Sequence, residues 1–342
     1  MYCRELFGSL VLGSRPTKII VAKSGGGFKM SGDDGAAAAA AAEEKLHCAS
    51  CGKAEIDDIK LKDCNSCDLV RYCSDDCEEN HKSEHEEACK KRAAELRDEL
   101  LFKQPESTHL GDCPICMLPL PLDESKFMVR PCCCNFICMG CMYKSDKVAM
   151  EQGRPYPECP YCREPTLTGE NNVELMRGKL FQRAKVRDPE AMCHVGHYQY
   201  NKGDYSGACE WYAKAADLGH AEAHYHLACS YHRGEGVEKD SRKEIHHLEE
   251  AATGGHPKAR YALAFSDKDG GAERRVRHLI IASNQGCEES MKCLVRMFKS
   301  LGVCSVFSKE DLAAALRGHQ AALKAAKSPL REEADAFRKR HM

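Results

Sequence analysis

Apolar residues recur with a helical period through the C-terminal part of the chain. Leu227 and Tyr231 stand four apart on one face of a first helix, and Tyr212, Leu248 and Leu279 hold one matching position in a second helix. The pattern repeats. "DPEAMCHVG" from 188, "HAEAHYHLA" from 220, "HPKARYALA" from 256 and "CEESMKCLV" from 287 are alike, and Ala191, Ala223, Ala259 and Ser290 lie 32, 36 and 31 residues apart. The first three units close on "AADLG", "AATGG" and "ASNQG", so Gly219, Gly255 and Gly286 suit left-handed helix C-caps. A helix pair of this size cannot bury its face alone. Stacked neighbours complete the core, which predicts an all-α solenoid with a concave surface.

These units resemble Sel-like repeats, relatives of the tetratricopeptide class. The second carries the family's Gly-x-Gly-Val-x-x-Asp turn at Gly234, Gly236, Val237 and Asp240. The others lack that insert, which fits their shorter periods, and Gln199 and Asp267 replace the aromatic at the Tyr231 position. The fourth unit is degenerate and runs into a capping helix, where Ser308 with Asp311 predicts an N-cap and Pro329 a stop. The resemblance implies protein binding rather than catalysis. Residues 188–328 are read as the repeats and 329–342 as a charged tail.

N-terminal to the repeats the pattern changes. Residues 1–47 read as an unstructured segment: Gly25, Gly26 and Gly27 precede seven alanines from Ala36 to Ala42, a run too short to hold a helix alone. The first 30 residues carry Arg4, Arg15, Lys18, Lys23 and Lys29 against Glu5. An organelle transit peptide is one reading; disorder, or a chain that begins at Met30, is the other. No apolar run approaches the length of a membrane span.

Composition sharpens this picture at one point. The 342 residues hold 23 cysteines, and 16 of them lie between Cys48 and Cys162. Repeated C-x-x-C pairs favour zinc over a disulfide framework, and thiolate ligands require a reducing compartment, cytosol or nucleus. The formal charge is −2. Fifteen thiolates and four zinc ions would take it to about −9, so nucleic acid is not an expected partner.

The first cluster reads Cys48-x2-Cys51-x12-Cys64-x2-Cys67-x5-Cys73-x3-Cys77-x7-His85-x3-Cys89. A C-x-x-C knuckle brings two sulfurs to one ion, and C-x3-C or H-x3-C places ligands one helical turn apart. Eight ligands close two tetrahedra and leave no catalytic position. The segment 48–89 resembles the MYND finger, including "RYCSDDCEENHKSEHEEAC". The resemblance implies interleaved sites: Cys48, Cys51, Cys73 and Cys77 on one zinc, Cys64, Cys67, His85 and Cys89 on the other. His81 matches a family histidine that is usually not a ligand, and Lys82 departs from a frequent tryptophan. MYND fingers generally bind short proline-containing peptides. A charged helical linker, "KKRAAELRDELL" within 90–110, follows, with Pro105 near its stop.

The second cluster, within 111–166, pairs Cys113 with Cys116, Cys138 with Cys141 and Cys159 with Cys162 around the triplet Cys132, Cys133 and Cys134. It resembles a RING-type finger in an all-cysteine variant. The resemblance implies a cross-brace: Cys113, Cys116, Cys138 and Cys141 on one ion, two of the triplet with Cys159 and Cys162 on the other. The usual C-x-H spacing selects Cys132 and Cys134, and the divergence of adjacent side chains favours it. The C-C-G-K-x-I-C-x-x-C variant selects Cys132 and Cys133, favoured by the four-residue gap before Cys138.

RING ubiquitin ligases dock a ubiquitin-conjugating enzyme and supply no nucleophile. Ile115 and Pro160 match the family's apolar contacts and Arg163 the cation that bridges conjugating enzyme and ubiquitin, a role suited to a guanidinium fork. The tryptophan that many ligases place between Cys141 and Cys159 is missing; the single tryptophan is Trp211. Two functions therefore stand side by side: a RING-type ligase whose MYND finger and repeats recruit substrate, and a non-catalytic zinc-dependent adaptor. A lysine methyltransferase would need a SET domain, whose cofactor motifs are not found. His220, His224, His226 and His232 sit at helical spacing and are read as a wet helix face rather than metal ligands.

Overall fold

The computed structural model describes residues 47–55, 60–154, 158–165, 171–266, 270–301 and 306–341. The N-terminal expectations for residues 1–46, including the targeting and Met30 readings, lie outside them, as does Asp267. The chain divides into two compact units, residues 1–101 and 102–342.

In the first unit, short strands β1 (Lys62–Asp63) and β2 (Arg71–Tyr72) pair antiparallel and lead into helix α1 (Asp75–Leu101). Asp75, Asp76 and Glu78 occupy its first turn, where the helix dipole favours negative charge. The apolar core consists of Cys48, Leu61 and Tyr72 with the half-buried Cys64, Val70, Cys73 and Cys77. A core this small supplies little stability, so the module depends on cross-links of another kind. Helix α1 continues past the expected boundary at residue 90 into the expected helical linker. It runs unbroken from the cysteine-rich segment through most of the expected linker, because neither Gly nor Pro interrupts it. Arg92 braces its middle, donating to Asp68 from Nε (2.7 Å) and Nη2 (3.1 Å) and to Glu99 from Nη1 (2.9 Å).

The second unit opens with the other cysteine-rich segment. Strands β3 (Phe127–Arg130) and β4 (Asn135–Cys138) form an antiparallel hairpin in the register Phe127↔Cys138 to Arg130↔Asn135, and helix α2 (Met139–Glu151) follows. Its core is Cys113, Leu120, Ile137, Cys138, Cys141, Met142 and Cys159. Helix α3 (Asn171–Lys185) then precedes four helix pairs: α4 (Pro189–Asn201) with α5 (Tyr205–Ala216), α6 (Ala221–Arg233) with α7 (Ser241–Thr253), α8 (Pro257–Ser266) with α9 (Gly271–Asn284), and α10 (Glu288–Leu301) with α11 (Lys309–Ala325). Each pair also packs on the next, and α3 packs on α4. The architecture is a mostly helical, repeat-type solenoid that follows small cysteine-rich modules.

The repeat pattern explains the packing. Ala191, Ala223, Ala259 and Ser290 are all 0% exposed, and Tyr212, Leu248 and Leu279 are buried beside them. Small side chains at one position allow close helix approach, and large ones at the other fill the space between. Gly219, Gly255 and Gly286 take φ of 78°, 81° and 91° at the joints between pairs, where a β-carbon would be strained. Ser308 and Asp311 form a reciprocal capping box at the start of α11.

Within the stretch 329–342, read as a charged tail, lies helix α12 (Pro329–His341), which packs on α2. Proline suits a first helical turn as well as a stop, and Arg338, Lys339, Arg340 and His341 fall in the last turn, where the dipole favours cations. Its Phe337 ring meets Tyr143 at 5.1 Å between centroids. No helix among the described residues is long and apolar enough to cross a membrane.

Candidate metal centres

Four sets of four side chains converge in the cysteine-rich segments, with donor atoms within 4.8 Å of one another. In the first unit the sets are Cys48, Cys51, Cys73 and Cys77, and Cys64, Cys67, His85 and Cys89. In the second they are Cys113, Cys116, Cys138 and Cys141, and Cys132, Cys133, Cys159 and Cys162. Each set alternates along the chain with its neighbour, so folding either segment draws together residues far apart in sequence.

Distances test whether a metal fits. A tetrahedral zinc with Zn–S bonds of about 2.3 Å holds its sulfurs about 3.8 Å apart. The Sγ separations are 3.5 Å for Cys51–Cys73, 3.7 Å for Cys64–Cys89 and Cys73–Cys77, 3.8 Å for Cys116–Cys138, 3.9 Å for Cys133–Cys159 and 3.4 Å for Cys132–Cys162. Cys67 Sγ lies 3.1 Å from His85 Nε2. All exceed a disulfide bond of about 2.05 Å, and these cysteines are free. The spacing is that of thiolates around an ion, and the sets are consistent with zinc-binding modules.

Three knuckles share one backbone device. The residue after the second cysteine donates its N–H to the carbonyl of the first at 2.8 Å: Gly52 to Cys48, Met117 to Cys113, Arg163 to Cys159. Each of these residues is left-handed, at φ 72°, 54° and 59°. Only Gly52 adopts this without strain; Met117 and Arg163 accept it because the turn aims two sulfurs at one point. A hydrogen bond with Cys138 Sγ, aided by backbone N–H groups, brings the Cys113 thiol down to about 4 despite its burial. Burial opposes ionisation of Cys48 and Cys159, but knuckle N–H groups outweigh it and bring them to about 6 and 7. A thiolate is the form that binds metal.

The cysteine triplet is resolved by its turn. The N–H groups of Cys133 and Cys134 both donate to the Arg130 carbonyl, which turns Cys132 and Cys133 toward Cys159 and Cys162. Cys134, also a candidate ligand, is not among the donors of these four sets. At φ 52° its side chain points away, into the apolar cluster of Ala184, Ala191 and Met192. Burial pushes its thiol up to about 12, so it stays protonated. The left-handed backbone at Cys134 sends the third thiol away and leaves the adjacent Cys132 and Cys133 on the same side.

Ile115 (39% exposed) and Arg163 are exposed, and Pro160 is half-buried. His81 is not in a donor set; it lies 3.0 Å from the Tyr72 hydroxyl and stacks on His85. Arg331 of α12 is a residue that sequence reasoning passed over. It is buried, and its guanidinium donates to the carbonyls of Pro119 (2.7 Å), Ala326 (2.7 Å) and Leu118 (3.1 Å) and to Cys116 Sγ (3.3 Å). No spacing rule would have found it, because 213 residues separate it from its knuckle partner Leu118.

The repeat histidines, read as a wet helix face, are half-buried and partnered. His220 caps α6, accepting from Ala223 N–H and facing Glu190 Oε2 at 2.9 Å. His224 meets His247 at 3.0 Å, His226 meets His197 and Glu222, and His232 meets Glu244 at 3.0 Å. The first helix of each pair lies between neighbours, so these histidines are half-buried. His256 repeats the His220 role: Nδ1 accepts from Ala259 N–H, which leaves Nε2–H to donate to Glu222 Oε2 at 3.0 Å.

Burial, with His109 beside it, brings the His256 imidazole down to about 3, and burial with His224 brings His247 down to about 4. Both are unprotonated in the folded state, whereas unfolded histidine titrates near 6.5. Their contribution is therefore complete above about pH 6.5 and is lost as pH falls toward 4 and 3. Each loses about 2 kcal/mol by pH 5. Helix melting followed by circular dichroism should show a lower midpoint at pH 5 than at pH 7; equal midpoints would contradict the assignment.

Comparison with known proteins agrees with two of the three segments. Residues 48–89 match the family model of the MYND finger, and residues 189–220 and 221–256 match the Sel1 repeat. No curated protein matches the chain. Among solved structures, it is similar to a Sel1 repeat protein from Oxalobacter formigenes, with 24% identity over 45% of this chain and 65% of that one and a TM-score of 0.38. It is also similar to a protective antigen of uropathogenic Escherichia coli displaying an SLR fold, with 23% identity over 44% of this chain and 33% of that one and a TM-score of 0.36. The chain thus spans less than two thirds of the length of either.

Proposed function

We propose that this protein is a zinc-dependent interaction scaffold, in which the MYND finger and the helical repeats bind partner proteins and neither cysteine-rich module performs metal chemistry. The observation that carries this reading is closure. Each set in the two modules has four protein donors, which leaves a zinc ion no open position for water or substrate. Such ions hold loops in place, and four are expected: two in 48–89 and two in 111–166. The MYND resemblance supports a proline-containing peptide as one ligand, and stacked helix pairs support a protein as the other. Reduced thiolates favour the cytosol or nucleus.

A second reading has its own support. Cys132, Cys133, Cys159 and Cys162, alternating with Cys113, Cys116, Cys138 and Cys141, follow the cross-brace of an all-cysteine RING-type finger. Ile115 and Arg163 are exposed on its knuckles, beside the half-buried Pro160. A ubiquitin-conjugating enzyme docked there would carry the thioester, and Arg163 would hold it in a reactive geometry. Autoubiquitination with a panel of conjugating enzymes separates the two readings. The scaffold reading expects no transfer with any of them. Transfer that falls at least tenfold in Arg163→Ala would replace it with the ligase.

A further inference from the structure

Helices α4 and α6 are the first helices of consecutive repeats, and each presents two potential ligands one turn apart. On α4 these are Cys193 and His197; on α6 they are Glu222 and His226. Cys193 Sγ and one ring nitrogen from each of His197 and His226 lie within 4.8 Å of one another. The two Nε2 atoms approach to 2.5 Å, and Glu222 Oε1 lies 3.1 Å from His226 Nε2.

Protons satisfy this arrangement poorly. A single N–H on His226 Nε2 can be directed at His197 Nε2 or at Glu222 Oε1, and 2.5 Å is shorter than an ordinary N–H···N bond. A divalent cation takes both nitrogen lone pairs, the thiolate and the carboxylate oxygen at once. The surroundings suit one. Glu222 Oε2 is already occupied by His109 (2.8 Å) and His256 (3.0 Å), which orients the carboxylate and leaves Oε1 facing His226. Tyr212 stacks on His226 (4.9 Å between centroids) and meets His197 edge-on, which keeps both rings facing the same point. Cys193 is buried, while His197 and His226 are partly exposed, so an ion has a route in.

We propose that Cys193, His197 and His226 form a further metal site that binds a zinc-class divalent ion and bolts the first repeat to the second, with Glu222 Oε1, 3.1 Å from His226 Nε2, turning in as the fourth donor. One sulfur, two imidazoles and a carboxylate match that ion's preferences. To seat it at Zn–N distances of about 2.0–2.1 Å, the two Nε2 atoms must part to about 3.3 Å, which side-chain rotation allows. The site is independent of the cysteine-rich modules and of either functional reading.

Native mass spectrometry of the full chain, purified with zinc, tests it by difference. The unsubstituted chain should hold one ion more than His197→Gln, whatever the total carried by the cysteine-rich modules. His197→Cys, which keeps a donor, should retain the ion. Equal counts in the unsubstituted chain and a helical His197→Gln would overturn the site. Should His197→Gln lose its helical circular dichroism, cadmium NMR of the unsubstituted chain decides. Sulfur donors move the cadmium resonance downfield, so a one-thiolate site must give a signal well upfield of the thiolate-rich ones. Its absence from the cadmium-loaded chain would likewise overturn the proposal.

Discussion

Replacing Cys133 with serine should remove one zinc ion and unfold the second cysteine-rich module, while replacing Cys134 with alanine should leave the ion count unchanged. The two residues are adjacent, so composition and local charge are nearly identical in the two variants. What differs is direction. Cys133 Sγ lies 3.9 Å from Cys159 in a four-donor set, whereas Cys134 is packed among Ala184, Ala191 and Met192. Structural zinc contributes about 10–16 kcal/mol of apparent folding energy in finger peptides, as much as the whole stability of an ordinary domain. A module with a core of seven residues, three of them cysteines from the first knuckle's ion set, cannot absorb that loss. The Cys134 variant loses only a small buried side chain, about 1 kcal/mol. Native mass spectrometry gives the ion counts and limited proteolysis reports the fold. An ion lost from Cys134→Ala would place the ligands in the other register.

Arg331→Ala should destabilise the second unit by about 3–5 kcal/mol, the cost typical of breaking a buried charge interaction. Its guanidinium serves three carbonyls and Cys116 Sγ, and alanine would leave them without that partner. A [Zn(Cys)4] centre carries two negative charges, so the lost cation costs more when metal is bound. Arg331→Lys should recover only part of the loss, because one ammonium cannot reproduce a planar fork aimed at two groups of acceptors. Urea unfolding of parent and both variants measures this. A change below about 0.5 kcal/mol in Arg331→Ala, the range of ordinary surface substitutions, would show that α12 does not hold the knuckle.

Much of the architecture could be read along the chain because its signals are periodic. Ligand pairs at C-x-x-C spacing, and small residues recurring every 31–36 positions, are local records of local geometry. The left-handed joints at Gly219, Gly255 and Gly286 are of the same kind. Elsewhere a local signal had two outcomes. Pro329 follows the end of α11, as a stop should, and also opens α12, which packs on α2. Histidines at helical spacing suit a wet face and a packed one, and the neighbouring repeat decided between them.

The sequence by itself determined the order of modules, the all-α repeat class and the spacing of the donors in the cysteine-rich segments. Those properties follow from residue type and short-range separation, which chain geometry ties directly to turns and helical faces. Only the tertiary structure decided which two thiols of the triplet share a set with Cys159 and Cys162. It alone brought Arg331 onto a knuckle 213 residues away and gathered Cys193, His197 and His226 at one point, with Glu222 against His226. These contacts join segments whose distance is set by how whole helices stack, and no local pattern encodes that distance.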